Sequence, residues 1–269
     1  MQFRAVFISD VHLGTRWCKV KYLSSFLSCI ECDELYLVGD IIDGWHIRRK
    51  GKWPQSHNKI VRKLLKMSRD TKITYVTGNH DEFMDEFDQY NFGRIAVCRK
   101  AFYTSSDGRK FLVVHGDEYD IVVKYNKWLV TLGDYAYDVA LWVNAGVNRV
   151  RIVIGKDYWS LSQNLKHRVK DAVKYIGAYE TCLLKAAGKN GVDGIICGHI
   201  HRPAMRKIGN ISYFNTGDWV ETCSALVENM DGTFEIIRWY GTEIERIPIV
   251  TSDGELVFRK EGITEPAPM

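Results

Sequence analysis

Five short apolar segments of this chain each end at a cluster of Asp, His or Asn side chains. The clusters are Asp10-Val11-His12, Gly39-Asp40, Gly78-Asn79-His80-Asp81, His115-Gly116-Asp117 and Gly198-His199-Ile200-His201. Segments with apolar residues at helical spacing, Val20 to Ile30 and Ile60 to Leu65, separate the first three. In the second segment Ile60, Val61, Leu64 and Leu65 are expected on one face of a helix. This alternation predicts repeated βαβ units and therefore an α/β fold class.

The five clusters are predicted to form one site. In open α/β sheets ligands bind beyond the carboxyl ends of the strands, where loops bring residues from distant parts of the sequence together. Each cluster directly follows a predicted strand, so the side chains of all five should converge at one edge of the sheet.

The chemistry of these side chains predicts a metal site. Imidazole, carboxylate and amide groups suit Mn, Fe, Zn or similar divalent ions. The Asp10-x-His12 and His199-x-His201 spacings let alternate residues at a strand end point the same way, and Asp40 is placed to bridge two ions. Two ions roughly 3.5 to 4 Å apart can bind a phosphoryl group and activate a water for in-line attack. The sequence therefore predicts a two-metal phosphoesterase.

The later part of the chain alternates in short pieces, 211–214, 224–228 and 234–240, with turn signals between them. This pattern predicts an antiparallel sheet that closes a second layer. We predict a single domain over residues 1–250 with a helical insertion at about 121–175, followed by a tail at 251–269 whose last residues are disordered.

Composition excludes several classes of protein. The formal net charge is +4, which does not favour nucleic acid as a partner. No apolar stretch reaches the roughly 18 residues of a membrane span, and no leader precedes the first strand, so we expect a cytoplasmic protein. The odd number of cysteines, seven, predicts reduced thiols. Cys29 and Cys32 form one CxxC without a second pair, which favours packing or surface roles over zinc.

The predicted insertion has a composition of its own. Aromatic and aliphatic residues dominate 121–147, whereas 149–174 carry seven Lys or Arg residues. Such a pair of helices suits a phosphate-bearing amphiphile or a membrane interface. The alternative is that the helices pack on the domain and turn their charges to water.

Taken together, the five motifs, with Asp43 completing Gly39-Asp40-x-x-Asp43, resemble the signature of the calcineurin-like metallophosphoesterase family. The resemblance implies a four-layer α/β (α+β) fold, in which two mixed β-sheets pack face to face between flanking helices. It also implies two sets of metal ligands that share one carboxylate. The first set is Asp10, His12, Asp40 and His201, and the second is Asp40, Asn79, His115 and His199.

The resemblance also implies a catalytic role for His80. This residue would protonate the leaving oxygen or stabilise charge in the transition state, and Asp81 or Asp43 would orient it. Both aspartates could instead cap helices, and Asp117 could orient the loop of His115. The histidines outside the motifs are expected at the surface; they are His46, His57 and His167.

Within the family, the motif order and the insertion after Asp117 resemble the UDP-2,3-diacylglucosamine pyrophosphohydrolase branch. That branch cleaves the pyrophosphate of a lipid A precursor at the inner face of a bacterial membrane. The resemblance implies a phosphorylated amphiphilic substrate, peripheral contact with the membrane, and manganese as the metal, with iron or zinc as alternatives. The substrate contacts it implies are Ser160, Ser162, Lys166, Arg168 and Lys170.

Two alternatives stay open. The lipid branch often has arginine at the position of His80, so the chain could act on another nucleotide-linked or lipid phosphate. A metal-binding scaffold without activity is the other alternative, although no ligand of the motifs is missing.

Overall fold

The computed structural model describes residues 1–120, 162–241, 244–247, 249–250 and 256–257, with side chains described at 1–120, 175–241 and 244–246. The chain divides into two compact units, Met1–Asp117 with Leu183–Met269, and Glu118–Cys182. Most of the predicted insertion and of the predicted tail therefore lies outside the described residues.

The described elements alternate between strand and helix in the first third of the chain, as the sequence predicts. In chain order they are β1 (Gln2–Ile8), α1 (Val20–Cys29), β2 (Glu31–Val38), α2 (Gly44–Lys50), α3 (Asn58–Met67), β3 (Lys72–Val76), β4 (Asn91–Phe92), β5 (Ile95–Cys98), β6 (Ala101–Thr104), β7 (Lys110–Val113), α4 (Ser162–Asn190), β8 (Gly194–Cys197), β9 (Ala204–Ile208), β10 (Ile211–Asn215), β11 (Ser224–Glu228), β12 (Phe234–Trp239), β13 (Ile244–Ile247), β14 (Ile249–Val250) and β15 (Leu256–Val257).

The first sheet has the strand order β13-β12-β11-β1-β2-β3-β5-β4 among the described residues. Its centre, β1-β2-β3-β5, is parallel, which confirms the predicted βαβ repeats. Helices α1 and α3 cover one face, and α3 buries Ile60 and Leu64. Leu65 was predicted on that face but is 54% exposed. The prediction was wrong because the next residue of a helix is rotated by about 100° from the buried stripe.

The second sheet has the order β15-β14-β9-β10-β8-β7-β6. The prediction that the late strands form one antiparallel layer is wrong. Strand β10 joins the second sheet parallel to β8, whereas β11 extends the first sheet antiparallel to β1, and β12 pairs antiparallel with β11. Alternation of apolar and polar residues predicts that a segment is a strand, but not which sheet it joins. Either sheet could bury the apolar face of such a strand.

Aromatic side chains fill the space between the two sheets. The shared cluster includes Phe7 and Tyr36 from the first sheet and Phe111 and Phe214 from the second. Along β1, Val6 and Ile8 pack toward the helices, while Ala5 and Phe7 pack in the shared cluster. This period-two alternation with both faces buried confirms two face-to-face sheets with flanking helices.

In the unit Glu118–Cys182, the described residues lie before 121 and in α4. The Tyr175 hydroxyl donates a hydrogen bond to the carboxylate of Asp120, and burial together with that carboxylate raises the pKa of Tyr175. Of the predicted substrate contacts, Ser160 lies outside the described residues. The other four begin α4, where side chains are not described; they are Ser162, Lys166, Arg168 and Lys170. No described helix is long and apolar enough to cross a membrane.

Candidate metal centre

Backbone hydrogen bonds join the loops that follow the central strands. The loop after β1 is bonded to the loop after β2, since His12 N donates to the Asp40 carbonyl at 2.9 Å. The loop after β8 is bonded to the loop after β7, since Gly198 N donates to the His115 carbonyl at 3.0 Å. His199 N donates to Asp10 Oδ2 at 3.0 Å and so connects the two pairs. The structure brings the predicted clusters together at one edge.

The backbone at five of the seven predicted metal ligands is left-handed. Only seven described non-glycine residues have positive φ, and five of them belong to the predicted site: Asp10, His12, Asp40, His199 and His201, with φ between 51° and 71°. Such a conformation costs roughly 1 to 3 kcal/mol for each residue. Asp10 and His12 therefore face the same site because of these turns and not because of the strand pleat, since β1 has already ended at Ile8.

Three overlapping groups of side chains could each hold a metal ion, because their ligand atoms lie within 4.8 Å of one another. Asp40 Oδ2 lies 3.3 Å from His115 Nε2 and 3.9 Å from His12 Nε2. Asp10 Oδ1 lies 3.1 Å from His201 Nε2. Asp10, His12 and Asp40 each belong to two of the groups, which are Asp10/His12/His201, His12/Asp40/His80 and Asp10/Asp40/His115.

Several buried polar atoms at this edge make no hydrogen bond of good geometry, although some lie near an oppositely charged group. They include Asp10 Oδ1, Asn79 Oδ1 and His115 Nε2, and also His80 Nδ1. Buried polar atoms are nearly always hydrogen-bonded, so unsatisfied ones need another partner. The two oxygens and the His115 nitrogen can each donate a lone pair to a divalent cation. The residues present therefore fit a metal ion.

The ring of His115 is held in a fixed orientation. Its Nδ1 donates to the Val38 carbonyl at 3.0 Å, which leaves Nε2 facing Asp40. A hydrogen bond at one ring nitrogen sets the tautomer and directs the other nitrogen toward a metal.

Electrostatics favour ionised carboxylates. Burial acts to raise the pKa of Asp40, but the neighbouring histidines, first His115, outweigh it and hold that pKa far below its usual range. Burial also acts to raise the pKa of Asp10, and the charges of His201 and His115 outweigh it. Both groups are therefore anionic at neutral pH, as cation binding requires.

His80 and Asp43 form a pair beside these groups. His80 Nδ1 lies 3.1 Å from Asp43 Oδ2, and the ring centroid of His80 lies 4.4 Å from that of Trp45. Burial acts to lower the pKa of His80, but Asp43 and Asp40 raise it overall. Asp43 also caps α2, because its Oδ1 accepts from His46 N at 2.7 Å. Both of the roles considered for Asp43 are compatible with this geometry.

Asp81 occupies a different position. Its buried carboxylate accepts from Ile41 N at 2.8 Å, from the Tyr75 hydroxyl at 2.7 Å and from Gly78 N at 2.5 Å. None of these contacts is to His80, and Asp81 does not cap the helical turn that follows it. Asp81 thus fixes the loops after β2 and β3 to each other. Asp117 is similarly bound, to Arg99 Nη2 at 3.1 Å.

Sequence reasoning misplaced one histidine and missed one serine. His57 was predicted at the surface but is 3% exposed, and its Nδ1 accepts from Gly14 N at 2.9 Å. A buried backbone N–H needs an acceptor, and His57 supplies it. The Ser9 hydroxyl donates to Asp10 and lies 2.6 Å from Thr216 Oγ1. Only the adjacency of Ser9 to Asp10 could have indicated its role, since Thr216 is distant in the sequence.

The two cysteines of the CxxC segment are both free thiols. Cys29 is exposed and Cys32 is buried in β2. This placement agrees with surface and packing roles.

Close packing at Gly78 gives a testable prediction. A Cβ atom at this position would lie 2.7 Å from both the Asp40 backbone nitrogen and His115 Cδ2. We expect Gly78→Ala to lower the free energy of unfolding by about 3 kcal/mol, the upper end for overpacking, because backbone cannot move aside as a flexible side chain can. Urea unfolding measures the change.

The matched control is Gly188→Ala, at a position in α4 where a Cβ meets no atom within 4 Å. There the free energy of unfolding should rise by up to about 1 kcal/mol, as alanine favours helix over glycine. Equal stabilities of the two variants would contradict the tight packing around Asp40 and His115.

Comparison with known proteins identifies the family. The family profile described as calcineurin-like phosphoesterase matches residues 3–203. The chain belongs to this family. The matched range includes all five motifs, so the chain is a metal-dependent phosphohydrolase of the calcineurin-like type, as the resemblance implied.

Curated relatives are similar over most of their length. The UDP-2,3-diacylglucosamine hydrolase of Shewanella sp. (strain MR-4) is 26% identical over 239 residues, which cover 85% of this chain and 95% of the relative. The protein of the same name from Blochmanniella pennsylvanica is 25% identical over 224 residues, 76% of this chain and 81% of the relative. Among solved structures, the E. coli phosphoesterase Yfce aligns with a TM-score of 0.42 at 15% identity, covering 94% of this chain and 96% of that one.

Proposed function

We propose that this protein hydrolyses the pyrophosphate of UDP-2,3-diacylglucosamine to UMP and the acylated sugar 1-phosphate. The observation that carries the choice of substrate is the similarity to relatives called UDP-2,3-diacylglucosamine hydrolase across 95% of the length of one of them. The phosphohydrolase family and the three groups of metal-binding side chains support the reaction type.

We assign two divalent ions to the site, with manganese expected and iron or zinc as alternatives. One set of ligands is Asp10, His12, Asp40 and His201, and the other is Asp40, Asn79, His115 and His199. The shared position of Asp40 in two groups and the unsatisfied Asn79 Oδ1 support this division. When bound, two such ions polarise the phosphoryl group and make water a competent nucleophile near neutral pH.

His80 is the proton donor in this proposal. Its side chain is 26% exposed, so it can reach a substrate, and its raised pKa keeps a proton available. Asp43 Oδ2 lies 3.1 Å from Nδ1 of the ring, and Nε2 lies on the Asp40 side of the site, 4.0 Å from Asp40 Oδ2. The proton would go to the UMP or sugar-phosphate oxygen as the P–O bond breaks.

The decisive experiment is incubation of the Mn-loaded protein with UDP-2,3-diacylglucosamine, followed by mass spectrometry. UMP and the acylated sugar 1-phosphate should appear together in equal amounts. Asp40→Asn, purified identically, controls for a contaminating hydrolase. Intact substrate under conditions where the protein turns over bis-p-nitrophenyl phosphate would exclude this substrate and leave the family chemistry standing.

An acylated substrate implies a place of action at a membrane. We propose peripheral contact with the cytoplasmic face, where such an amphiphile would be presented. The second candidate is hydrolysis of another nucleotide-linked or lipid phosphate, which the histidine at position 80 favours because the lipid branch often has arginine there. Turnover of other nucleotide diphosphate sugars in preference to the acylated one would select it.

A further inference from the structure

Acidic residues are distributed unevenly along this chain. Residues 11–30 contain three Lys or Arg and no Asp or Glu, and residues 44–69 contain nine Lys or Arg and no Asp or Glu. The whole chain has 37 basic and 33 acidic residues, so its remaining part has more acidic than basic residues. The modest net charge of the whole chain therefore conceals two segments that carry only positive charge.

The fold places these segments side by side. Helix α1 lies in the first segment and α3 in the second, and Lys63 Nζ on α3 donates to the Ser24 carbonyl on α1 at 2.9 Å. Between the start of α1 and residues 54–59 lies a cavity of about 840 Å³. This volume is in the range of about 300 to 1,000 Å³ that small-molecule sites occupy. None of the predicted metal ligands lines it.

The cavity lining combines cations and hydroxyl groups with apolar residues such as Val20 and Pro54. Its charged lining residues are Arg16, Lys19, Lys21 and Lys59, all exposed, and its hydroxyls include Ser24 and Ser56. No acidic residue is among the described residues that line it. Four cations around one concave surface repel one another and raise the local concentration of anions. Ammonium, guanidinium and hydroxyl donors together match the oxygens of a phosphate group.

We propose that this cavity, the α1 cavity, is a second binding site whose ligand carries a phosphate group. The phosphate could belong to a soluble phosphorylated metabolite or to the headgroup of an anionic lipid, since both present the same oxygens. The α1 cavity is connected to the loop after β1 through His57, which lines the cavity and accepts a hydrogen bond from Gly14, two residues after His12. An occupant would therefore lie next to a loop of the catalytic edge.

The test compares two double variants that remove equal charge. Arg16→Ala/Lys59→Ala removes two cations that line the α1 cavity. Arg62→Ala/Lys66→Ala removes two exposed cations of the same acid-free segment that do not line it. The first measurement is equilibrium dialysis of the metal-loaded full chain against radiolabelled inorganic phosphate. The wild type should show one site beyond the metal centre, and the cavity variant should bind there at least about tenfold more weakly, the scale of one lost charged hydrogen bond.

A second measurement identifies the source of the phosphate. Co-sedimentation with phosphatidylglycerol vesicles, against phosphatidylcholine vesicles, shows whether a lipid phosphate is bound. If the cavity variant, but not the control variant, loses vesicle binding, the ligand is a lipid. If the cavity variant loses phosphate binding but keeps vesicle binding, the ligand is soluble. If the cavity variant matches the wild type in both measurements, or if both double variants lose equally, the proposal is overturned. Hydrolysis of bis-p-nitrophenyl phosphate by the same preparations reports separately on the proposed function.

Discussion

Asp40→Asn should reduce phosphoester hydrolysis by about 10³-fold or more and release bound metal. Its Oδ2 lies between His115, His12 and His80, and Asp40 belongs to two of the three potential metal-binding groups. Asparagine keeps the size of the side chain but removes the negative charge that two cations would share. In other enzymes, loss of one preorganised electrostatic contact lowers kcat by about 10²- to 10³-fold. Here one residue would bind both ions, so the loss should be at least as large.

Elemental analysis after dialysis, together with turnover of bis-p-nitrophenyl phosphate, measures both effects. Asp70→Asn changes an exposed aspartate in the turn after α3; it is the control and should retain metal and rate. Two ions retained per chain in Asp40→Asn would defeat the assignment of Asp40 as the shared ligand.

His80→Ala should reduce kcat by at least about 10²-fold while the metal content stays that of the wild type, the scale of a positioned proton donor. His80 contacts Asp43 and Trp45, and its side chain is the most exposed of the three histidines near Asp40 Oδ2, since His12 is 10% exposed and His115 is buried. Loss of rate without loss of metal separates a proton donor from a ligand.

His46→Ala provides the matched control, because His46 is a half-buried histidine in α2 whose side chain lies outside the groups that could hold a metal. Its kcat should equal that of the wild type. Unchanged turnover in His80→Ala would remove His80 from the mechanism, and a loss of metal would reassign it as a ligand.

The local parts of the fold could be predicted from the sequence. Strands β1, β2, β3, β7 and β8 follow from short apolar runs, and α1 from the spacing of Leu23, Phe26 and Leu27, because strand and helix periodicities are local properties. The partner sheet of β10 and of β11 depends on residues far away in the chain. Such pairing leaves no local signal, and there the prediction failed.

At the site, the types of the residues could be predicted from the sequence. The backbone turns and hydrogen bonds that hold these residues in place could not. Alternation at strand ends led to the expectation that Asp10 and His12 point the same way, although a left-handed turn produces that result. The acceptor role of His57 and the Ser9–Thr216 contact join parts of the chain that only the tertiary structure brings together. Asp43 and Asp81, equivalent as motif carboxylates, differ because only Asp43 contacts His80.

The left-handed residues of the site impose a double requirement on its chemistry. Aspartate and histidine are, with asparagine, the side chains beyond glycine that tolerate this conformation best, and they are also donors for a divalent cation. A glutamate at position 10 or 40 would keep the carboxylate yet lose the conformational tolerance. An aspartate-to-glutamate exchange, which is conservative at most positions, is therefore disfavoured here. The backbone conformation limits which side chains these positions accept as much as metal binding does.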